Sequence, residues 1–310
     1  MQRQSLVPVI RSNFYVFAVL AYTGILVFNY LKAGVLFQFT YGILALVVLP
    51  VVLYILHKTR KTDQQLFLKQ WVPFIVILLS YEALQGTTGS TISLKNIVNL
   101  YPIDKMFWSI NVTGTVQRMF YSQAMTDVML VFYSLHFYLV ILASVVLWLF
   151  RRTLFTRYVI AITITSYVSL MIFAIYPTAP PWFSNVALNL ASASSNSVHA
   201  APPILSQIAS LSNLIEADKF AAFPSLHAAY VTLFAAYMVK FRKKLIVLMI
   251  PLEFGVLFAT LYLGQHYLID LVAGVSLALT SVYLADIITG KYKISFFSKR
   301  DLNKQVTEIS

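Results

Sequence analysis

Long apolar runs, separated by charged or polar residues, recur along the 310-residue chain. The runs lie at about 13–31, 35–56, 71–87, 128–150, 158–177, 223–240, 245–263 and 267–289. A helix needs about 20 mostly apolar residues to cross a bilayer. The pattern therefore predicts an all-α, polytopic membrane helical bundle of about eight transmembrane helices. The third run is the shortest and contains Pro73 and Glu82, which leaves a count of seven open.

The composition agrees with a membrane protein and excludes several other classes. Hydrophobic residues make up 59% of the chain, charged residues only 11%, and the mean hydropathy is +0.76. A soluble domain carries about 25% charged residues, so a soluble enzyme, a disordered chain and a fibrous repeat are excluded. The chain has no Cys, which excludes disulfides, thiolate nucleophiles and Cys-ligated metal sites.

The distribution of Lys and Arg predicts the orientation in the membrane. With the N-terminus in the cytoplasm and alternating spans, 18 of the 23 basic residues fall inside. The remaining five, which fall outside, are Lys32, Lys95, Lys105, Arg118 and Lys219. This bias predicts that both termini are cytoplasmic. The same distribution attributes the net charge of +12 to cytoplasmic loops beside anionic lipid. We therefore predict no nucleic-acid partner.

Two predicted outer segments are too long to be simple turns. Residues 88–127 contain Met106, Phe107, Trp108 and Phe120, which favours a helix lying at the membrane interface. Residues 178–222 include a Ser/Ala-rich stretch and are typical of a mobile flap or an extended cover. We predict three regions: N-terminal spans with the outer interfacial segment (1–127), a catalytic helical core (128–290) and a basic cytoplasmic tail (291–310).

The first chemical motif is Phe223-Pro224-Ser225-Leu226-His227. Proline is well suited to a first helical position, so Pro224 predicts the start of the sixth span. Ser225 and the backbone N–H groups at this helix terminus form a candidate site for an anion such as phosphate. His227 would then lie at the outer surface of the membrane.

The second motif runs from Gly264 to Asp270 and contains His266. Residues four apart stack on one helical face, so Asp270 can accept the Nδ1 proton of His266. That would leave Nε2 of His266 as the nucleophile. One span and its return separate His227 from His266, so both should emerge on the same face. One histidine can then attack while the other donates a proton to the leaving group.

The two motifs in this order resemble the second and third signatures of the type 2 phosphatidic acid phosphatase superfamily. In that family the later histidine attacks phosphorus, an aspartate orients it, and the earlier histidine acts first as an acid and then as a base. The resemblance places these roles on His266, Asp270 and His227. It implies an integral membrane lipid phosphatase or phosphotransferase.

Three departures resemble the inositol phosphorylceramide synthase branch of that superfamily. The usual Lys-x₆-Arg-Pro signature is absent, and a segment ending in Pro180-Pro181-Trp182 stands at the outer end of the preceding span. Thr260 stands in place of the usual arginine, followed by Tyr262, and Leu226 replaces a glycine. That branch transfers a phospho-alcohol head group between lipids, so the resemblance implies transfer of a phospho-inositol-type head group.

The phosphate ligands are harder to assign, because the usual cations are missing. A phosphodiester carries one negative charge, so the helix terminus at Ser225 could supply much of the field. Lys219, Arg118 and His136 are further candidates for binding the phosphate or substrate. No His or carboxylate cluster has metal-site spacing, so we expect no metal and no cofactor.

Other interpretations remain open at this point. Water as acceptor would give a hydrolase and a lipid hydroxyl a transferase, and phospholipids and polyprenyl phosphates both remain possible substrates. A transporter or channel without phosphoryl chemistry is the rival, because Glu82 and Glu253 lie within predicted spans. Transporter sites usually lie at mid-membrane, whereas these histidines are predicted at the outer, extracytoplasmic or luminal face of a multi-pass protein.

Overall fold

The computed structural model describes residues 70–81, 84, 96–190 and 220–290. These residues form a mostly helical structure with two short strands. The strands are β1 (Val98–Asn99) and β2 (Thr178–Ala179). The helices are α1 (Gln70–Tyr81), α2 (Tyr101–Trp108), α3 (Val112–Phe120), α4 (Gln123–Phe150), α5 (Arg152–Ile175), α6 (Leu226–Phe241), α7 (Ile246–Tyr262) and α8 (Leu268–Ile288).

Within this described part, three helices are long and apolar enough to cross a membrane: α5, α7 with its leading 3₁₀ turn, and α8. Helix α4 is a fourth if its two halves, bent by 46°, form one span. Helix α6 has 16 residues and is therefore only about 24 Å long, short of the roughly 30 Å hydrocarbon core. The predicted runs at 13–31 and 35–56 lie outside the described residues, so the count of eight and the cytoplasmic termini stay predictions.

Polar side chains define where several helices begin. Ser122 caps α4 by accepting a hydrogen bond from the backbone N–H of Met125, and Ser225 caps α6 through the N–H of Ala228. Asn111 caps α3 in the same way. Each cap satisfies an N–H group that has no partner within the helix. Helix α6 therefore begins one residue after Ser225, close to the start that Pro224 predicts.

Helices α4 to α8 pack around one apolar core, which includes buried side chains such as Val140, Ile162, Leu233 and Val256. The start of α6 lies very close to α8. A Cβ atom added at Gly274 would be 2.2 Å from the carbonyl oxygen of Ser225. Only glycine permits this approach, which places the first turns of α6 and α8 side by side.

One end of the bundle carries a cluster of charged side chains. Asp286 of α8 is buried and lies 2.8 Å from Lys240 Nζ of α6 and 3.5 Å from an Arg157 guanidinium nitrogen of α5. The chain connections between α4 and α5 and between α6 and α7 contribute Arg151, Arg242 and further basic residues at the same end. Two cations offset the cost of burying this carboxylate.

The opposite end is covered by the strands and by α2 and α3. Strand β1 pairs in parallel with β2, and Thr178 forms a further bridge with Ala221 just before α6. The helix predicted within 88–127 is present as two helices, and Met106, Phe107 and Met119 on them are highly exposed. Residues 178–190, part of the segment predicted as a mobile flap or an extended cover, form strand β2 and the turns that follow it, with buried Pro180 and Leu190. Residues 191–219 lie outside the described residues.

Candidate active site

The turn between α7 and α8 carries the second motif and begins at a glycine in the left-handed conformation. Gly264 has a φ of 78°, and a Cβ atom there would lie 2.3 Å from the carbonyl oxygen of Leu188. The backbone N–H groups of Gln265 and His266 donate to the carbonyl of Thr260 at 3.0 and 3.4 Å. The hydroxyl of Thr260 donates to Leu257 of its own helix. Thr260 therefore organises the turn through its main chain.

His266 is almost fully buried, and its Nδ1 atom faces two acceptors. The carbonyl oxygen of Ala222 is 3.0 Å from Nδ1, and Asp270 Oδ2 is 3.6 Å away. The first distance is a hydrogen bond, whereas the second is longer than one. Both acceptors favour a proton on Nδ1 and a lone pair on Nε2. The sequence predicts Asp270 as the acceptor, but in the structure Ala222 is the nearer one.

Asp270 holds the beginning of α8 as well as facing the histidine. Its Oδ2 atom accepts the backbone N–H of Tyr267 at 2.8 Å, and its carbonyl accepts the N–H of Ser225 at 3.1 Å. The Oδ1 atom is buried with no hydrogen-bond partner among the described residues. A carboxylate whose Oδ2 lies 3.6 Å from His266 Nδ1 can stabilise a positive charge on the ring.

His227 lies in the first turn of α6 and meets His266 directly. The distance from His227 Nδ1 to His266 Nε2 is 3.2 Å. The ring of Tyr133 stacks on His227 with centroids 4.1 Å apart, and the ring of His136 lies 3.8 Å away. His136 is fixed in turn by a 2.7 Å contact between its Nδ1 and the carbonyl of Tyr133. The bend of α4 falls next to His136, between its two halves.

Comparison with known proteins identifies the family. A family model described as the PAP2 superfamily matches residues 99–284, more than half of the chain. The chain belongs to the PAP2 superfamily. This confirms the resemblance to type 2 phosphatidic acid phosphatases, and it supports a lipid phosphotransferase or phosphatase in a multi-pass membrane protein.

Two relatives are similar to this PAP2 protein. Phosphoinositol dihydroceramide synthase of Bacteroides thetaiotaomicron is 25% identical over 234 residues, which cover 67% of this chain and 73% of the relative. The inositol phosphorylceramide synthase catalytic subunit AUR1 of Saccharomyces cerevisiae is 32% identical over 108 residues, or 32% of this chain and 26% of the yeast protein. No solved structure matches the chain. These relatives support the inositol phosphotransferase-like branch of the superfamily.

The structure places the other predicted PAP2 site residues at different distances from the histidines. Pro180 and Pro181 are buried, and the indole nitrogen of Trp182 donates to Gln265 in the histidine turn at 3.2 Å. The hydroxyl of Ser225 caps α6, the helix that carries His227. The proline segment thus supports the turn, and Ser225 fixes the position of His227.

Three further candidates lie elsewhere or outside the described part. The hydroxyl of Tyr262 is 2.8 Å from the Thr126 hydroxyl, at the start of α4. Arg118 is exposed and donates to Thr115 on its own helix at 2.9 Å. Lys219 lies outside the described residues. The structure therefore does not bring the Arg118 guanidinium to the histidine pair, and Tyr262 is used in helix packing.

Helices α2 and α3 contribute residues that sequence reasoning missed. Thr113 of α3 donates to the carbonyl of His266 at 3.2 Å, and Gln117 donates to the carbonyl of Tyr262 at 2.9 Å. Asp104 of α2 accepts the N–H of Ile269 at 3.0 Å. Isolated polar residues on mainly apolar helices give a weak indication of such contacts, but the sequence does not specify their partners.

Two ionisable groups around the histidine turn are shifted by burial. Burial raises the pKa of Asp104, while the hydrogen bond from Ile269 acts in the opposite direction. Burial also raises the pKa of Tyr267 to about 12, so its phenol stays neutral at physiological pH. The contacts from Asp104, Thr113 and Gln117 show that α2 and α3 pack against this turn.

Proposed function

We propose that this protein transfers a phosphoinositol head group from an inositol phospholipid to the hydroxyl of a ceramide-type lipid, with His266 as nucleophile. The contact between His266 Nε2 and His227 Nδ1 carries the proposal, because two histidines this close could act on one phosphate as nucleophile and acid–base group. The names of both relatives supply the head group and the acceptor class.

The first step forms a covalent intermediate on His266. Its Nε2 lone pair attacks the phosphorus of the donor lipid, and the bond from phosphorus to the oxygen of the departing lipid alcohol breaks. Protonated His227 gives its proton to that oxygen. The new nitrogen–phosphorus bond leaves positive charge on the His266 ring, which the Nδ1 contacts with Ala222 and Asp270 stabilise.

The second step returns both histidines to their starting forms. Neutral His227 removes the proton from the acceptor hydroxyl, and the oxygen attacks phosphorus on the opposite side from His266. The nitrogen–phosphorus bond breaks, and Nε2 regains its lone pair. General acid–base catalysis of this kind contributes about 10²–10⁴-fold to a rate. If water takes the place of the lipid hydroxyl, the same residues perform hydrolysis.

The charge requirement of a phosphodiester is compatible with the few cations at this site. The substrate phosphate carries one negative charge, and protonated His227 carries one positive charge. Helix α6 also directs the positive end of its dipole to the same place, because His227 lies in its first turn. Thr260 at the position of the usual arginine fits this smaller requirement.

We further propose that the histidines face the extracytoplasmic or luminal side of the membrane. The support is the charge difference between the two ends of the described bundle. Arg151, Arg152, Arg242, Lys243 and Lys244 lie at the end opposite the histidines. Cytoplasmic ends of membrane helices are enriched in Lys and Arg.

The test uses purified wild-type protein, His266→Ala and the control Thr280→Ala, all in EDTA. Thr280 is exposed on α8 and donates only to Ser276 of its own helix among the contacts described. Labelled inositol phospholipid is supplied with and without ceramide, and the products are resolved by mass. We expect a phosphoinositol-bearing ceramide from wild type and Thr280→Ala, and none from His266→Ala.

Other outcomes separate the alternatives. Release of inositol phosphate without a new lipid would make the enzyme a hydrolase. Activity lost in EDTA and restored by divalent ions would contradict the metal-independent mechanism. That mechanism is proposed because the described residues contain no group of three or more His or carboxylate side chains able to hold a metal. Equal product from wild type and His266→Ala would reject His266 as nucleophile.

A further inference from the structure

The beginning of α8 lacks an ordinary cap of its own. Tyr267 occupies the N-cap position without a side-chain cap hydrogen bond, and Asp270 at N3 accepts the backbone N–H of Tyr267. Ser, Thr, Asp and Asn are preferred at the N-cap because their short side chains accept the first backbone N–H groups. The N–H of Asp270 donates to the carbonyl of Tyr267, so the N–H groups of Leu268 and Ile269 are the ones left for another part of the chain.

Asp104 of helix α2 supplies an acceptor from 165 positions away in the sequence. Its Oδ1 atom accepts the N–H of Ile269 at 3.0 Å, and the nearby N–H of Leu268 acts to lower the pKa of this carboxylate. The negative charge lies at the positive end of the α8 dipole, where a carboxylate is stabilising. Asp104 therefore replaces the missing cap.

The burial of Asp104 is unusual for its helix. It is the buried residue of α2 and is 1% exposed, whereas Met106 is 74% and Phe107 64% exposed. Burying a carboxylate is costly unless hydrogen bonds compensate. The helix thus exposes its apolar side chains and turns its carboxylate toward the start of α8.

We propose that Asp104 is a positioning residue for the pair His266 and Asp270. Helix α8 begins two residues after His266, and Asp270 is the third residue of α8. Asp104 accepts the N–H of Ile269, which lies between them, so the carboxylate of Asp270 is left to bond Tyr267 and to face His266. Without Asp104, the N–H of Ile269 competes for Asp270 and draws it away from the histidine.

This inference rests on the proposed function, and Asp104→Ala with Asp104→Asn tests it in the purified protein. Asparagine keeps an oxygen that can accept the Ile269 N–H, so it should rescue what alanine loses. Displacement of a catalytic group by about 1 Å costs up to about 100-fold, so we expect Asp104→Ala to lower kcat roughly 10- to 100-fold, and Asp104→Asn about threefold or less. KM for both lipids should change little, because Asp104 contacts α8 and not the substrate.

Asp127→Ala is the matched control, because Asp127 accepts only from Gln123 of its own helix among the described contacts. Amide exchange of the segment 267–272 supplies a readout besides activity. It should rise in Asp104→Ala and stay near wild type in Asp104→Asn and Asp127→Ala. Thermal unfolding of each variant identifies a general loss of folding. The Asp104→Asn rescue then decides whether the acceptor oxygen of Asp104 positions His266 and Asp270.

The outcomes separate this inference from the proposed function. An active wild type, an inactive His266→Ala and an unchanged Asp104→Ala would overturn the role of Asp104 alone. Equal losses in Asp104→Asn and Asp104→Ala, or a change in KM without a change in kcat, would overturn it as well. Equal activity of wild type and His266→Ala would overturn the proposed function and this inference with it.

Discussion

The two central histidines are held in different ways, although they touch each other. His266 lies in a turn, and backbone groups surround it: its Nδ1 faces the carbonyl of Ala222, and its own carbonyl accepts from Thr113. His227 lies in a helix, and the rings of Tyr133 and His136 pack against it. Polar contacts fix the tautomer of His266, whereas ring packing fixes the plane of His227.

This difference matches the roles proposed for them. A nucleophile must present one nitrogen lone pair in one direction, and hydrogen bonds to the other nitrogen achieve this. An acid–base group must gain and lose a proton in each cycle, and ring packing holds the His227 ring while its Nδ1 faces His266 Nε2. The comparison therefore predicts that the two histidines respond differently to substrate and to mutation.

Replacement of the two histidines by alanine should have the largest effects. With a lipid substrate, we expect His266→Ala to lower kcat by more than about 10⁴-fold and His227→Ala by about 10²–10⁴-fold. A phosphodiester with an aryl leaving group of low pKa needs no acid for departure. On that substrate, formation of the covalent intermediate with a nitrogen–phosphorus bond should recover in His227→Ala and stay absent in His266→Ala.

The measurement is mass spectrometry of the protein after rapid quenching with the aryl substrate. Thr280→Ala again serves as the control on α8. Recovery in His266→Ala but not in His227→Ala would reverse the assignment of the two roles. Recovery in both variants would show that neither histidine is the nucleophile.

Asp270→Asn tests how much of the His266 orientation depends on Ala222. Where an aspartate alone fixes a histidine tautomer, its loss costs about 10⁴-fold. Because the carbonyl of Ala222 is the nearer acceptor here, we expect a loss of only roughly 100-fold in kcat. Steady-state kinetics checks this, with Asp127→Asn as the control. A loss in kcat as large as that of His266→Ala would mean that Asp270, not Ala222, fixes the ring.

Gly274→Ala should separate the two histidines without changing either one. The added Cβ would lie 2.2 Å from the Ser225 carbonyl, so the start of α6 must move away from α8. We expect kcat to fall about 10- to 100-fold and the free energy of unfolding to fall by about 1–3 kcal/mol. Ser276→Ala, on the exposed side of α8, is the control. Wild-type kinetics in Gly274→Ala would contradict the close approach of α6 to α8.

His136 variants should show the smallest effect and test the ring packing of His227. His136→Phe keeps a ring against His227, so we expect a loss in kcat of about threefold or less. His136→Ala removes the ring, and an aromatic contact of about 1 kcal/mol corresponds to a loss of about fivefold to tenfold. If His136→Phe loses as much activity as His136→Ala, then the imidazole itself acts in the reaction.

Much of the histidine site could be predicted from the sequence because its parts lie near each other along the chain. The spacing of His266 and Asp270 places them on one face of a helix start, and Pro224 and Ser225 predict the start of the helix that carries His227. The fold class followed from apolar runs, since a membrane crossing depends on length and hydrophobicity. The described helices from 123 to 288 overlap five of the eight predicted runs.

Contacts between distant segments could not be predicted in the same way. Ala222 is 44 positions from His266, and Asp104 is 165 positions from Ile269. A backbone carbonyl carries no residue-specific pattern, and one aspartate on a short apolar helix has many possible partners. The sequence predicts a mobile flap or an extended cover for 178–222, and it does not specify that Trp182 bonds to Gln265 in the histidine turn.

The sequence by itself indicated the membrane class, identified the family and supplied the candidate reacting groups, because hydropathy and short motifs depend on residues close together in the chain. Only the tertiary structure decided which acceptor fixes His266, which rings restrain His227 and what caps α8. Those choices depend on the close approach of α6 to α8 at Gly274 and on the docking of α2 and α3. Such packing is set by the whole bundle and not by any single segment.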